Sequence, residues 1–249
     1  MDRKIVTVKS YANIAIIKYW GKFDAAKMIP ATSSISLTLE NMFTTTSVSF
    51  LPDSASHDEF YINGVLQDDK EHAKISTIID QYRGQRSEYV KVETSNNMPT
   101  AAGLSSSSSG LSALVKACNE LFETGLSQAE LAQKAKFASG SSSRSFFGPL
   151  AAWDKDSGEV YPVQTDLKLA MIMLVLSDSK KPISSREGMK RCVETSTTFA
   201  DWVKQSEQDY KDMLVYLKDN DFERVGELTE RNALAMHDTN THANLSLIH

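Results

Sequence analysis

Asn96-Asn-Met-Pro-Thr-Ala-Ala-Gly-Leu-Ser-Ser-Ser-Ser-Ser-Gly110 consists almost wholly of small residues after Pro99. It follows a β-branched run, Tyr89 to Thr94, and leads into a helical pattern at Leu111, Leu114, Val115, Cys118, Leu121 and Phe122, with Gly125 as a stop. Backbone built from Ala101, Ala102, Gly103 and Leu104 can approach a ligand closely. Free N–H groups at the start of the following helix, with the positive end of its dipole, favour a phosphate, and the hydroxyls of Ser105, Ser106, Ser107 and Ser108 add donors. A flexible serine linker has a similar composition, but it would not run straight into a periodic apolar helix. The chain contains neither a GxxxxGK[ST] string nor a GxGxxG string, which disfavours P-loop and Rossmann nucleotide folds.

Upstream of that turn, Ile5 to Val8 and Thr44 to Phe50 alternate with the period of half-buried strands, and Asn63-Gly64 between short apolar pairs marks a hairpin. Downstream, Ser127 and Glu130 have the spacing of a capping box, predicting a helix to about Ser139 that Gly140 ends. The run Leu169 to Leu176 predicts a strand buried on both faces. Phe199, Trp202, Val203, Tyr210, Met213, Leu214 and Leu217 then predict a long helix, and Phe222, Val225 and Leu228 another. A β-rich first part is thus followed by a strand-helix-helix part, with no Pro- or Gly-rich linker and no internal repeat between them.

With 249 residues, 41% hydrophobic and 24% charged, the chain has the balance of a soluble globular protein of one large domain or two lobes. A formal net charge of -5 argues against nucleic acid or an anionic membrane as partner. Anionic ligands must therefore be held by local sites. Cys118 and Cys192 lie far apart outside any metal-ligand spacing, which suggests buried free thiols in a reducing compartment. Residues 1–22 lack the apolar stretch of a signal peptide, and no apolar run is long enough to span a bilayer. A cytoplasmic location is expected.

Three further strings carry chemistry. In Tyr11-Ala-Asn-Ile-Ala-Ile-Ile-Lys-Tyr-Trp-Gly-Lys22, two cations and a phenol approach a glycine turn where they can converge on one anion. Lone lysines on a strand are ordinarily surface groups. In Ser139-Gly-Ser-Ser-Ser-Arg-Ser-Phe-Phe-Gly148, Arg144 offers a fork suited to a carboxylate, while Ser139, Ser141 and nearby N–H groups suit phosphate oxygens. Lys180-Lys-Pro-Ile-Ser-Ser-Arg-Glu-Gly-Met189 by itself is only a helix-capping turn.

Pro99 to Gly110 resembles the PxxxGLxSS motif of the GHMP kinase superfamily, and NIAIIKYWGK is similar to the signature of its diphosphomevalonate decarboxylases. The Ser-Gly-Ser…Arg and Lys…Ser-Ser strings resemble the same family in the same order, and the likeness extends to about Asn244. The resemblance implies an α/β two-lobe fold, with a ribosomal-protein-S5-like lobe over residues 1–166 and an incomplete ferredoxin-like lobe over 167–249. It implies ATP-dependent decarboxylation of mevalonate diphosphate to isopentenyl diphosphate, with Mg2+ accompanying ATP, and homodimers are frequent in the family.

By the same resemblance Lys18, Ser107 and Arg144 are the catalytic candidates, with Lys18 and Arg144 at the reacting end. Tyr19, Trp20, Gly21, Lys22, Ser139, Gly140, Ser141, Ser142, Ser143, Ser184 and Ser185 would line the substrate, and Pro99, Ala101 to Leu104 and Ser105 to Ser108 the nucleotide. No residue is assigned as a metal ligand. The family's Asp-Ala-Gly-Pro string, which carries its catalytic aspartate, does not occur, and the chain reads Leu245-Ser-Leu-Ile-His249 where relatives continue. Impaired turnover and a C-terminal lobe short of covering strands are therefore expected. A GHMP kinase that stops at phosphorylation, or a binding protein without turnover, is the alternative outcome.

Overall fold

Strand-forming residues crowd the first half of the chain, and the computed structural model, which describes residues 4–98, 106–174 and 183–243, shows what they build. Two long strands, β1 (Ile5–Ile17) and β4 (Ser34–Phe50), pair with each other. The short strands β2 (Lys22–Asp24) and β3 (Ile29–Pro30) form a separate antiparallel pair. The chain divides into two compact units, one of Met1–Ala12, Leu39–Thr100 and Leu104–Phe146, the other of Asn13–Thr38, Ala101–Gly103 and Phe147–His249.

In the first unit, Thr44 to Phe50 of β4 pair antiparallel with β7 (Val90–Asn96), register Thr44 to Asn96 through Phe50 to Val90. On its other edge β7 pairs parallel with β5 (Glu59–Ile62), which turns back into β6 (Val65–Leu66). Asn63 and Gly64 both have positive φ, 49° and 79°, the requirement of the tight hairpin that the Asn-Gly pair signalled. Behind this sheet lie α1 (Asp69–Arg83), α2 (Ser106–Leu121) and α3 (Gln128–Ala138). The core includes Val48, Val90, Val92, Ile75, Ile79, Leu114, Cys118 and Leu121. The capping box forms as the spacing predicts, with Ser127 accepting from the Glu130 N–H and Glu130 accepting from Ser127. Helix α3 stops at Ser139, an extended cap; Gly140 instead opens a 3-10 segment, Gly140–Phe146.

In the second unit, Ser34 to Leu37 of β4 pair with β8 (Leu150–Trp153), which pairs with β9 (Val160–Val163). Helices α4 (Ser185–Thr195), α5 (Phe199–Lys218) and α6 (Phe222–His242) follow. Trp20, Ala31, Cys192, Phe199, Trp202, Met236 and Ala243 form an apolar cluster there. Both cysteines are buried and free, and burial pushes the Cys118 thiol up to about 12.

One expectation fails. The apolar run from Leu169 is not a buried strand: residues 169–174 form no regular element, and Ile172 and Leu174 are 85% and 84% exposed. A strand buried on both faces needs a paired edge and a layer over each face, and among the described residues no strand pairs with this run. Residues 175 and 176 lie outside the described residues. In place of the predicted strand-helix-helix arrangement, the described residues show an irregular run at 169–174 and three helices from Ser185 onward.

Candidate functional site

The signature string leaves β1 at Ile17 and turns before β2, and the turn is fixed through its backbone. Lys18 donates its N–H to Asn232 Oδ1 at 2.8 Å, and its carbonyl accepts from Thr32 Oγ1 at 3.0 Å. Its ammonium reaches back to the Ala15 carbonyl at 3.0 Å, and burial lowers its pKa from the usual lysine value. Among the described residues this ammonium faces a neutral carbonyl, and a desolvated ammonium so placed keeps much of its field for an incoming anion. Tyr19 lies against Trp153, ring centroids 5.2 Å apart.

Trp20 is 8% exposed within the apolar cluster, where its indole Nε1 has no partner among the described residues. Gly21 has φ +95°, and a Cβ there would meet Phe199 Cζ at 2.6 Å, so the turn requires glycine. Lys22 Nζ sits 3.2 Å from Met28 Sδ, and its pKa is lowered first by burial and then by the charge of Arg186.

Arg186 stands in the first turn of α4, whose cap is Ser184: its hydroxyl accepts from the Glu187 N–H at 3.2 Å. Ser185 begins that helix and is exposed. Two cations thus approach one another at a helix N-terminus, a place where an anion is favoured. The sequence reading passed over Arg186, although it stands inside the quoted Ser-Ser-Arg string. Thr32 and Asn232 were also missed. Asn232 had a signal, because it is a polar residue on the apolar stripe of Val225, Leu228 and Met236.

In the first unit, α2 opens at Ser106, half-buried, and Ser107, exposed, while Ser108 is fully buried. Pro99, Ala101, Ala102, Gly103, Leu104 and Ser105 lie outside the described residues. Ser109 Oγ is 2.7 Å from Thr44 Oγ1, tying the helix start to β4. The 3-10 segment packs on both α2 and α3. Ser139 and Ser141 place their hydroxyls 3.2 Å apart. Ser142 donates to the Ala135 and Ser139 carbonyls, and Ser143 to that of Gly140, so these two buried hydroxyls hold the segment's shape.

Arg144 is 2% exposed and Gly140 is buried. Lys116 of α2 anchors the end of the segment, donating to the Ser145 carbonyl and to Ser10 Oγ and lying over the Phe146 ring at 4.7 Å. Burial pushes Lys116 down to about 8. No cluster of three or more His, Cys, Asp or Glu residues able to hold a metal occurs among the described residues. No helix of the described residues is long and apolar enough to cross a membrane.

Residues 10–166 match the model of the diphosphomevalonate decarboxylase-like N-terminal domain, and residues 171–247 that of the mevalonate 5-diphosphate decarboxylase C-terminal domain. The diphosphomevalonate decarboxylase of Schizosaccharomyces pombe is 31% identical over 95% of this chain and 67% of its own length. A structure of mevalonate pyrophosphate decarboxylase from Streptococcus pyogenes superimposes with a TM-score of 0.93 at 74% identity, over 98% of this chain and 77% of that one. The structure of MDDEF in complex with MVAPP, AMPPCP and magnesium gives 0.84 at 37% identity, over 96% and 75%.

Proposed function

Because the chain belongs to the diphosphomevalonate decarboxylase family, we propose that it acts on mevalonate diphosphate with ATP, releasing isopentenyl diphosphate, ADP, phosphate and carbon dioxide. The observation that carries the proposal is the convergence of Lys22 and Arg186 at the N-terminus of α4. There a diphosphate would offset both the burial and the Arg186 charge that lower the Lys22 pKa.

Phosphorylation of the tertiary hydroxyl makes a leaving group. Departure of that phosphate draws the electrons of the carbon–carboxylate bond into the new double bond as carbon dioxide leaves. Nearly all the groups involved are anionic, so prepositioned cations and N–H donors supply most of the rate. Lys18, desolvated and clamped, and Arg144, buried on its 3-10 segment, serve the reacting end in this proposal. Tyr19, Lys22, Ser185 and Arg186 take the substrate's diphosphate. Ser142 and Ser143 shape the backbone around Gly140 rather than touch the ligand.

Ser106 and Ser107 at the start of α2 would hold the γ-phosphoryl group of ATP, Ser107 being the exposed hydroxyl. The donor set there is hydroxyls and backbone N–H groups, which suits phosphate oxygens; Mg2+ would arrive on the nucleotide, where it neutralises phosphate charge. A lobe boundary near 166, between an S5-like and a ferredoxin-like part, is supported by the gap between the two family matches. A cytoplasmic location is supported by two buried free thiols.

Mevalonate diphosphate labelled at its carboxylate tests the proposal. Labelled carbon dioxide should appear with ADP at equal stoichiometry. ADP without labelled gas would replace this function by phosphorylation alone, and neither product would overturn it.

A further inference from the structure

We infer that Asn232 and Asp209 are positioning residues that aim Lys18, through a chain of hydrogen bonds whose polarity can run in only one direction. Asp209, on α5, is 1% exposed, and its carboxylate accepts from Arg231 at 2.6 Å, Gln205 at 2.9 Å and Asn232 Nδ2 at 2.9 Å. An ionised carboxylate only accepts, so the amide of Asn232 must turn its NH2 toward Asp209. The same NH2 donates to Ser206 Oγ at 3.2 Å. That leaves Oδ1 of Asn232 facing the Lys18 N–H, which can only donate, at 2.8 Å.

Asn232 is 0% exposed and lies 214 residues from Lys18 in sequence. With Thr32 holding the Lys18 carbonyl, the peptide groups on both sides of this lysine are fixed, and with them the direction in which its side chain leaves the backbone. A buried amide ordinarily serves the helix that carries it, whereas this one reaches out to the turn bearing a candidate catalytic group.

The inference rests on the proposal that Lys18 touches substrate, and the experiment separates the two. Competitive acetylation read by mass spectrometry reports the reactivity of each lysine, and calorimetry reports binding of mevalonate diphosphate. In Asn232→Leu, acetylation of Lys18 should rise about tenfold while Lys134, in the other unit, is unchanged, and affinity should fall about tenfold or more. Asp209→Asn keeps the shape but lets the Asn232 amide take either orientation, so it should move both readouts the same way by about threefold.

A folded Asn232→Leu protein with both readouts within about twofold of the parent overturns the inference. Should that variant fail to fold, Asp209→Asn decides by the same criterion. Lys18→Ala that binds as the parent does, beside an Asn232→Leu protein whose Lys18 reactivity has risen, would keep the clamp and discard Lys18 as a substrate contact.

Discussion

At Gly21 a single hydrogen is required twice over, by a φ of +95° and by the Phe199 ring that a Cβ would approach to 2.6 Å. Gly21→Ala should therefore cost about 2–4 kcal/mol of stability in denaturant unfolding. Adding Phe199→Leu should restore less than the whole loss, because relieving the contact leaves the backbone strain.

Lys116 gives a pH signature. Its pKa is pushed from 10.5 to about 8 by burial, so between those values the unfolded chain binds more protons than the folded one, and this group's contribution to stability rises with pH. The full difference corresponds to about 3 kcal/mol. In Lys116→Met the rise in unfolding free energy from pH 7.5 to 10 should be smaller than in the parent by up to about 2–3 kcal/mol. An unchanged pH slope would show that Lys116 titrates alike in both states. None of this is legible from sequence, where Lys116 looks like any lysine on an amphipathic helix.

Among the elements, α1 carries a helical signal in its apolar spacing. Ile75, Ile78, Ile79 and Tyr82 recur at helical spacing behind the Asp68 cap, yet this helix was not predicted. Its C-terminal end is joined to β7 through Asp58, 6% exposed, which accepts from Arg83 at 2.8 and 3.0 Å and from the Val90 N–H at 2.8 Å. Asp58→Ala should cost about 2–4 kcal/mol by leaving the buried Val90 N–H unpaired and removing the two-oxygen partner of Arg83, which keeps Asp80 and the Glu88 carbonyl, read as a lower denaturant midpoint.

The capping box of α3 and the Asn63-Gly64 hairpin were legible because each depends on residues within a few positions of one another. Strands β8 and β9 were not predicted, since their short runs, Leu150–Trp153 and Val160–Val163, declare themselves only once β8 lies against β4 and β9 against β8.

Over the whole molecule, apolar character alone did not decide which residues lie in the core. Ile172 and Leu174 are exposed, whereas Leu217 and Met213 are fully buried on α5. Ile172→Thr with Leu174→Thr should change stability by no more than about 0.5 kcal/mol while reducing light scattering, and Leu217→Ala should cost about 2–5 kcal/mol. A large loss from the first pair would mean that the run is packed in solution.

The sequence by itself determined the family, through four ordered strings whose small, cationic and hydroxyl residues suit anions, and it named Lys18, Lys22, Ser107 and Arg144. Resemblance of short contiguous strings suffices for that, because each string keeps its residue types together along the chain. Only the tertiary structure decided that Arg186 stands beside Lys22, that Ser142 and Ser143 turn inward, and that Asn232 holds the Lys18 backbone. These are relations between residues brought together by burial, and a burial partner 214 positions away leaves no periodicity or spacing for a sequence to display.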